Sequence, residues 1–124
     1  MSTTRYTEDH EWVRLEADGS ATVGITDHAQ DALGDVVYVE LPAAGARFAQ
    51  GDAAAVVESV KAAADVKMPV AGVILASNDA LSDDPARVNA DPMGGAWFFT
   101  VKPDNTKDID ALMDEAAYQS FTAA

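Results

Sequence analysis

The 124-residue chain contains no cysteine, which excludes disulfide bonds, thiolate metal sites and cysteine nucleophiles. Histidine is scarce as well: only His10 and His28 occur, without an HExxH spacing, so a zinc site is not expected. The sequence also lacks a G-x-S-x-G elbow, a P-loop and a G-x-G-x-x-G segment. Hydrolase, NTPase and dinucleotide-binding functions therefore have no starting motif in this chain.

Basic residues are few, with 8 Lys and Arg against 21 Asp and Glu and a net charge of −13. Such a surface repels phosphate backbones, so nucleic acid is not an expected partner. Long apolar runs are also missing: uncharged runs such as residues 69–78 reach only about half of a membrane span. The first twelve residues, MSTTRYTEDHEW, have no apolar stretch of the signal-peptide type. We therefore expect no membrane association and a cytoplasmic location.

What the sequence does contain is a series of short β-type runs separated by Gly, Pro and Asp residues. Their spacing predicts a mainly β sandwich or barrel. No repeat or linker divides the chain, so a single domain over residues 1–124 is expected. The predicted strands are Glu11–Leu15, Ala21–Ile25, Val36–Glu40, Ala54–Val60, Ala63–Met68, Gly72–Ala76 and residues 97–101.

Three segments predict short helices attached to this β framework. Thr26–Gly34 begins with a capping residue and ends at a glycine, which is typical of two helical turns. Asp84 before Pro85 predicts one further turn over Pro85–Asn89. The segment Asp108–Phe121 has apolar residues at helical spacing, which predicts an amphipathic C-terminal helix.

The segment ESVKAAADVKMPVAG, residues 58–72, contains the most informative lysine of the chain. Strand-like runs on both sides of Lys61 predict a hairpin whose tight turn presents this lysine to solvent. A turn lysine is ordinarily just a solvated residue, but Lys61 has only small or apolar neighbours, which leave it unobstructed. A lysine that carries a group as an amide loses its charge and becomes a tether, a role that needs exposure and a rigid support.

The pattern of Gly51-Asp52, the ESVK segment at 58–61 and the PVAG segment at 69–72 resembles the lipoyl/biotinyl carrier fold. That resemblance implies a flattened β-barrel of the barrel-sandwich type, made from two similar hairpin layers. Over nearly its whole length the chain is similar to the H proteins of the glycine cleavage system. The matching segments, in order, are HEW at 10–12, GITDHAQ at 24–30, LGD at 33–35, LP at 41–42, ESVKA at 58–62, NDALS at 78–82 and Trp97.

The resemblance implies that Lys61 is lipoylated, with lipoate covalently attached as its cofactor. It also implies a carrier rather than an enzyme. In this family the lipoyl group takes the aminomethyl part of glycine from the P protein, the glycine decarboxylase, to the T protein, the aminomethyltransferase. The L protein, a dihydrolipoamide dehydrogenase, then reoxidises it. All the redox sulfur belongs to the cofactor, in agreement with the absence of cysteine.

Four further residues acquire expected roles from the same resemblance. Glu11 and Asp65 are expected to line a cleft that shields the loaded arm from water and to hold its protonated amine. Glu58 and Gly72 match positions that lipoate-attaching enzymes are thought to read. Each has an ordinary alternative: the acids as solvated residues of an acidic protein, and Gly72 as a turn or strand-start glycine.

Three other functions are less favoured by the sequence. A biotinyl carrier would place its modified lysine eight residues before the proline of the return strand, which fits Lys61 before Pro69 but not Lys67, and Lys61 has no flanking methionines. A carrier that relays lipoyl groups to other complexes needs the same lysine, and an unmodified acidic interaction module remains open. The chain departs from the family pattern at VKMP, residues 66–69, and at GGAW, residues 94–97.

Overall fold

The computed structural model describes residues 3–123, so residues 1, 2 and 124 of the expected single domain lie outside the described residues. Within this range the chain forms nine strands and five short helices. The strands are β1 (Thr3–Tyr6), β2 (Glu11–Leu15), β3 (Ala21–Ile25), β4 (Val36–Glu40), β5 (Arg47–Phe48), β6 (Ala53–Ser59), β7 (Ala63–Lys67), β8 (Gly72–Ser77) and β9 (Phe99–Pro103). The helices are α1 (Asp27–Leu33), α2 (Ala80–Asp83), α3 (Arg87–Ala90), α4 (Lys107–Asp110) and α5 (Glu115–Ala123).

The strands form two antiparallel sheets that enclose one hydrophobic core. The larger sheet has the order β1-β2-β3-β9-β8-β5 and the smaller one the order β4-β6-β7. Val13 and Val23 from the larger sheet and Val57 and Val66 from the smaller one are all almost fully buried in the same cluster. The predicted mainly β carrier fold is confirmed, although the sheets are not closed into a barrel but packed like a sandwich.

The strand boundaries follow the apolar pattern of the sequence closely. β2, β3 and β4 begin and end at the predicted residues, and the predicted strands of the 54–76 region are shifted by at most one residue. Every residue of β3 is buried, because this strand lies between β2 and β9 with side chains packed on both faces. The last predicted strand starts at Phe99 rather than at residue 97.

Helix α1 confirms the capping pattern of the sequence. The Thr26 hydroxyl accepts a hydrogen bond from the Ala29 N–H, and Gly34 ends the helix with a positive φ of 79°. The predicted turn at Pro85–Asn89 is present slightly later, as α3. No helix in the described part of the chain is long and apolar enough to cross a membrane.

The predicted C-terminal helix is confirmed as α5 over Glu115–Ala123, but its predicted extent of Asp108–Phe121 as one continuous helix is wrong. The segment is divided into α4 and α5, and Met113 between them forms a β-bridge with Tyr6. The Tyr6 N–H donates to the Met113 carbonyl at 2.8 Å, and the Met113 N–H donates back to Tyr6 at 3.1 Å. Pairing with the exposed edge of β1 therefore replaces the helical hydrogen bonds at this point.

Candidate functional site

Lys61 lies in the short connection between β6 and β7, as the sequence predicts. Ser59 and Ala62 flank two central residues, Val60 and Lys61, and the Lys61 side chain is exposed. The Val60 N–H donates to the Asp35 carbonyl at 3.0 Å, which ties the connection to the segment before β4. The lysine therefore projects from a turn that is held on two sides.

The side chain of Ser59 closes this turn. The Ser59 N–H donates to the Ala62 carbonyl at 2.8 Å, and the Ser59 hydroxyl accepts from the N–H groups of Lys61 and Ala62, both at 3.1 Å. Two-residue hairpins usually require a positive φ, which neither Val60 nor Lys61 has. The serine hydroxyl takes the place of the missing backbone hydrogen bond and gives a defined turn with ordinary backbone angles.

The surface around Lys61 is apolar and unobstructed. Val60 is 67% exposed, and Val37 and Tyr38 on the neighbouring strand β4 are also exposed. Glu58 is exposed next to this surface, opposite Tyr38 on one side and Ala63 on the other. A protein that reaches Lys61 therefore meets exposed apolar side chains together with the adjacent carboxylate of Glu58.

Glu11 lies in a very different environment, at the start of β2. It is only 2% exposed and lines a cavity of about 280 Å³. The Thr7 hydroxyl donates to Glu11 Oε1 at 2.7 Å and accepts from the Glu11 N–H at 3.1 Å. Burial raises the pKa of the Glu11 carboxyl to about 7, in spite of the opposing hydrogen bonds from Thr7 and from the Lys67 backbone.

The Glu11 cavity contains several other charged groups at its rim. Glu8, Asp9 and Lys67 line it, and the Lys67 ammonium lies 3.8 Å from Asp9 Oδ1. A buried carboxyl with a raised pKa and further acids nearby favours a cationic ligand such as a protonated amine. A cation beside this carboxyl would stabilise its ionised form.

Asp65 does not line the cavity with Glu11. It is exposed in the middle of β7, and by strand alternation it shares a face with Ala63 and with Lys67 at the rim of the cavity. At about 3.3 Å per residue, β7 places Asp65 roughly halfway between the Lys61 turn and the cavity. The two acids expected to line one cleft therefore lie apart, Glu11 in the cavity and Asp65 on the exposed face of β7.

Gly72 is required by the packing of the sheet. It begins β8, is buried, and pairs with Phe48 of β5 and Pro103 of β9. A Cβ atom at this position would lie 2.5 Å from the Lys102 carbonyl oxygen. Only glycine allows the two strands to approach this closely.

Sequence reasoning did not find Thr7 and Lys67 as parts of the site. The spacing of Thr7 four residues before Glu11 is the single sequence signal for their hydrogen bond, and it is a weak one. Lys67 is confirmed as a strand residue, but its position at the cavity depends on the packing of β7 beside the turn at residues 7–9.

His10 has a structural role in this arrangement. Its Nδ1 forms a 2.8 Å hydrogen bond with the Tyr118 hydroxyl, which in turn bonds the Thr26 hydroxyl at 2.7 Å. These bonds fasten α5 to the end of β3. Within residues 3–123 no three His, Asp or Glu residues are grouped closely enough to hold a metal ion.

The comparisons with known proteins agree over almost the whole chain. The family model described as glycine cleavage H-protein matches residues 4–124. A glycine cleavage system H protein from Chromobacterium violaceum is 58% identical over 92% of this chain and 89% of its own length. One from Bradyrhizobium diazoefficiens is 57% identical over 99% of this chain and 100% of its own.

A solved structure gives the same result for the fold. The crystal structure of a glycine cleavage system H protein from Mycobacterium marinum matches with a TM-score of 0.89 and 35% sequence identity. The match covers 98% of each chain. This chain therefore belongs to the glycine cleavage H-protein family, the lipoyl carriers of the glycine cleavage system.

Proposed function

We propose that Lys61 is the residue to which lipoate is attached. As a family member the chain is a non-catalytic carrier that works with the P, T and L proteins of glycine cleavage. The observation that carries the assignment is the exposed lysine on a turn closed by the Ser59 hydroxyl. A tether requires this combination, because the turn fixes the attachment point of the arm while exposure leaves the rest of the arm free to move in solvent.

The residues around Lys61 fit a lipoyl group. Ala62 and Ala63 are exposed and small, so they leave space for the enzyme that forms the amide bond. The path along β7 leads from Lys61 past Asp65 to the Glu11 cavity. When attached, the lipoyl group supplies the disulfide that is reduced as it takes up the aminomethyl unit; the protein supplies the support and the cavity.

Glu11 is proposed to bind the protonated amine of the cargo at the end of this path. Its carboxyl is buried and its pKa is raised to about 7 by that burial, so an incoming cation gains a strong, water-excluded partner. Asp65 is proposed to contact the amine on its way along β7. In this proposal both acids bind and orient the cargo, and neither transfers a proton.

Glu58 and Gly72 are proposed as recognition residues for lipoate-attaching enzymes. Glu58 is exposed on the strand that ends at the Lys61 turn, where a docking enzyme can contact it directly. Gly72 is buried, so it contributes through the backbone path that its missing side chain permits. The first role depends on charge and the second on shape.

Intact-mass spectrometry tests the attachment site. The wild type, Lys61→Ala and the control Lys67→Ala are expressed in a host that lipoylates proteins. We expect a lipoyl-sized mass addition on the wild type and on Lys67→Ala, and none on Lys61→Ala, which should remain folded. An unmodified wild type, or an addition retained by Lys61→Ala, would contradict the proposal.

The single-domain organisation over residues 1–124 and the cytoplasmic location are also proposals. One buried cluster that includes Val13, Val57 and Ile109 supports the first, since both sheets and α4 share it. Limited proteolysis should then release no stable internal fragment. Cell fractionation should recover the chain together with the L protein in the cytoplasmic fraction, and recovery in another compartment would contradict that location.

A further inference from the structure

The side chain of Lys61 lies directly against the backbone of Gly34, at the end of α1. A Cβ atom at position 34 would be 3.1 Å from Lys61 Cε and 3.6 Å from both its Cδ and its Nζ. Gly34 also has φ 79° and ψ −159°, a conformation that residues with side chains rarely adopt. Glycine at this position therefore serves two purposes: it permits the backbone turn and it leaves room for the lysine stem.

The segment 34–36 beneath the lysine is held rigidly by Asn89 of α3. The Asn89 Nδ2 donates to the Gly34 carbonyl at 2.8 Å and to Gln30 Oε1 at 3.0 Å. Its Oδ1 accepts from the Val36 N–H at 2.8 Å. Both amide hydrogens and the oxygen of this half-buried side chain are thus engaged in holding α1 and the start of β4.

The same segment is connected to the Lys61 turn from the opposite side. The Val60 N–H donates to the Asp35 carbonyl at 3.0 Å, and Val36 pairs with Ser59. The segment therefore lies between two supports: the Asn89 amide below and the turn above. Its distance from the lysine backbone is fixed by hydrogen bonds rather than by the lysine itself.

We propose that Gly34 and Asn89 are positioning residues for the attachment lysine. Gly34 provides the surface against which the four-carbon stem of Lys61 lies, and the hydrogen bonds of Asn89 hold this surface in place. A free lysine stem has many rotamers, and a fixed surface on one side restricts the directions in which the tethered group can leave. This inference rests on the proposed assignment of Lys61 as the attachment site.

Asn89→Ala and a matched control test the role of the amide. Asn78 is a second asparagine with bridging hydrogen bonds, but its Nδ2 donates to the carbonyls of Gly95 and Trp97, at 3.0 and 2.9 Å, rather than to the segment under Lys61. Apo forms of the wild type, Asn89→Ala and Asn78→Ala are lipoylated by a lipoate ligase with lipoate and ATP. We expect a kcat lower by about 3- to 10-fold for Asn89→Ala alone, with KM little changed. The ligase still docks on this variant, but the Lys61 side chain loses its fixed orientation.

A second pair of variants tests the contact with Gly34. Gly19 has a similar positive φ of 89°, but a Cβ atom there would meet nothing within 4 Å. Gly34→Ala and Gly19→Ala thus share backbone strain, and only the first displaces the lysine stem. We therefore expect slower lipoylation of Gly34→Ala than of Gly19→Ala, and equal rates would overturn the positioning role. In the wild type an NOE is expected between the Gly34 Hα and Lys61 Hε protons; it should persist in Asn78→Ala and weaken in Asn89→Ala.

The outcomes separate this inference from the assignment of Lys61. A wild-type chain that gains no lipoyl group contradicts the attachment site and the positioning role with it. Normal lipoylation of the wild type, with Asn89→Ala and Asn78→Ala equally active, overturns the positioning role alone. Absence of the Gly34–Lys61 NOE from the wild type overturns it as well.

Discussion

The Lys61 turn and the Glu11 cavity lie toward opposite ends of β7 and are built in opposite ways. At the turn, the Lys61 side chain is exposed and the order comes from hydrogen bonds of the backbone and Ser59. At the cavity, the carboxyl of Glu11 is buried and its pKa is raised by that burial. A tether needs reach from a fixed point, whereas a site for a charged cargo needs shelter from water.

The largest expected difference between the two regions is a change of protein stability with pH that the Glu11 carboxyl causes. Its folded pKa of about 7 exceeds the ordinary value of 4.5, so between these values the folded state retains a proton that the unfolded state has lost. The free energy of unfolding should therefore fall by about 3 kcal/mol as pH rises through this window. Glu11→Gln should remove that decrease.

Urea denaturation at pH 4.5 and pH 8 measures this difference. Glu58→Gln, a change of an exposed carboxylate beside the turn, is the matched control and should follow the wild type. Identical pH profiles for Glu11→Gln and the wild type would show that the buried carboxyl does not distinguish the cavity from the turn.

Gly72→Ala should cost about 2 kcal/mol of stability, because the added methyl group overlaps the Lys102 carbonyl and must separate β8 from β9. Chemical denaturation gives this value. Lipoylation measured per folded molecule then shows whether Gly72 also contributes to recognition: we expect a slower rate, since the strand path is altered. A variant as stable as the wild type would refute the close packing.

Ser59→Ala should destabilise the turn by about 1 kcal/mol, since the N–H groups of Lys61 and Ala62 lose their acceptor. Ser59→Thr keeps the hydroxyl and is the control. Thermal unfolding and the rate of lipoylation should both change for the alanine variant, while an NMR titration of Glu11 should not. A shifted Glu11 titration would mean that the two regions are not independent.

The smallest expected effect belongs to Lys67→Met. The ion pair with Asp9 is exposed and 3.8 Å long, so its loss should change stability by less than about 0.5 kcal/mol. The pKa of Glu11 should rise slightly, because the positive charge of Lys67 lowers it in the wild type. Lys102→Met, which removes a lysine from β9 outside the cavity, should leave that titration unchanged; an equal shift in both variants would exclude a local effect.

Seven of the nine strands in the described residues and the Lys61 turn could be predicted from sequence because their signals are local, whereas β1 and β5 are not predicted. Short β-type runs bounded by turn residues mark β2 to β4, the capping residues Thr26 and Gly34 mark α1, and two strand-like runs enclose Lys61. The division of the C-terminal helix could not be predicted. Its apolar spacing is helical, and only the edge of β1, more than a hundred residues away, offers Met113 a better set of hydrogen bonds.

The sequence alone determined the fold class, the turn and the lysine at its tip, since each depends on residues that are neighbours in the chain. Tertiary structure alone decided which groups lie together around that lysine. It brought Gly34 and Asn89 beneath Lys61, buried Glu11 beside Thr7 and Lys67, and set Asp65 apart from the cavity. The physical reason is that burial, strand neighbours and long-range hydrogen bonds arise only when distant segments pack.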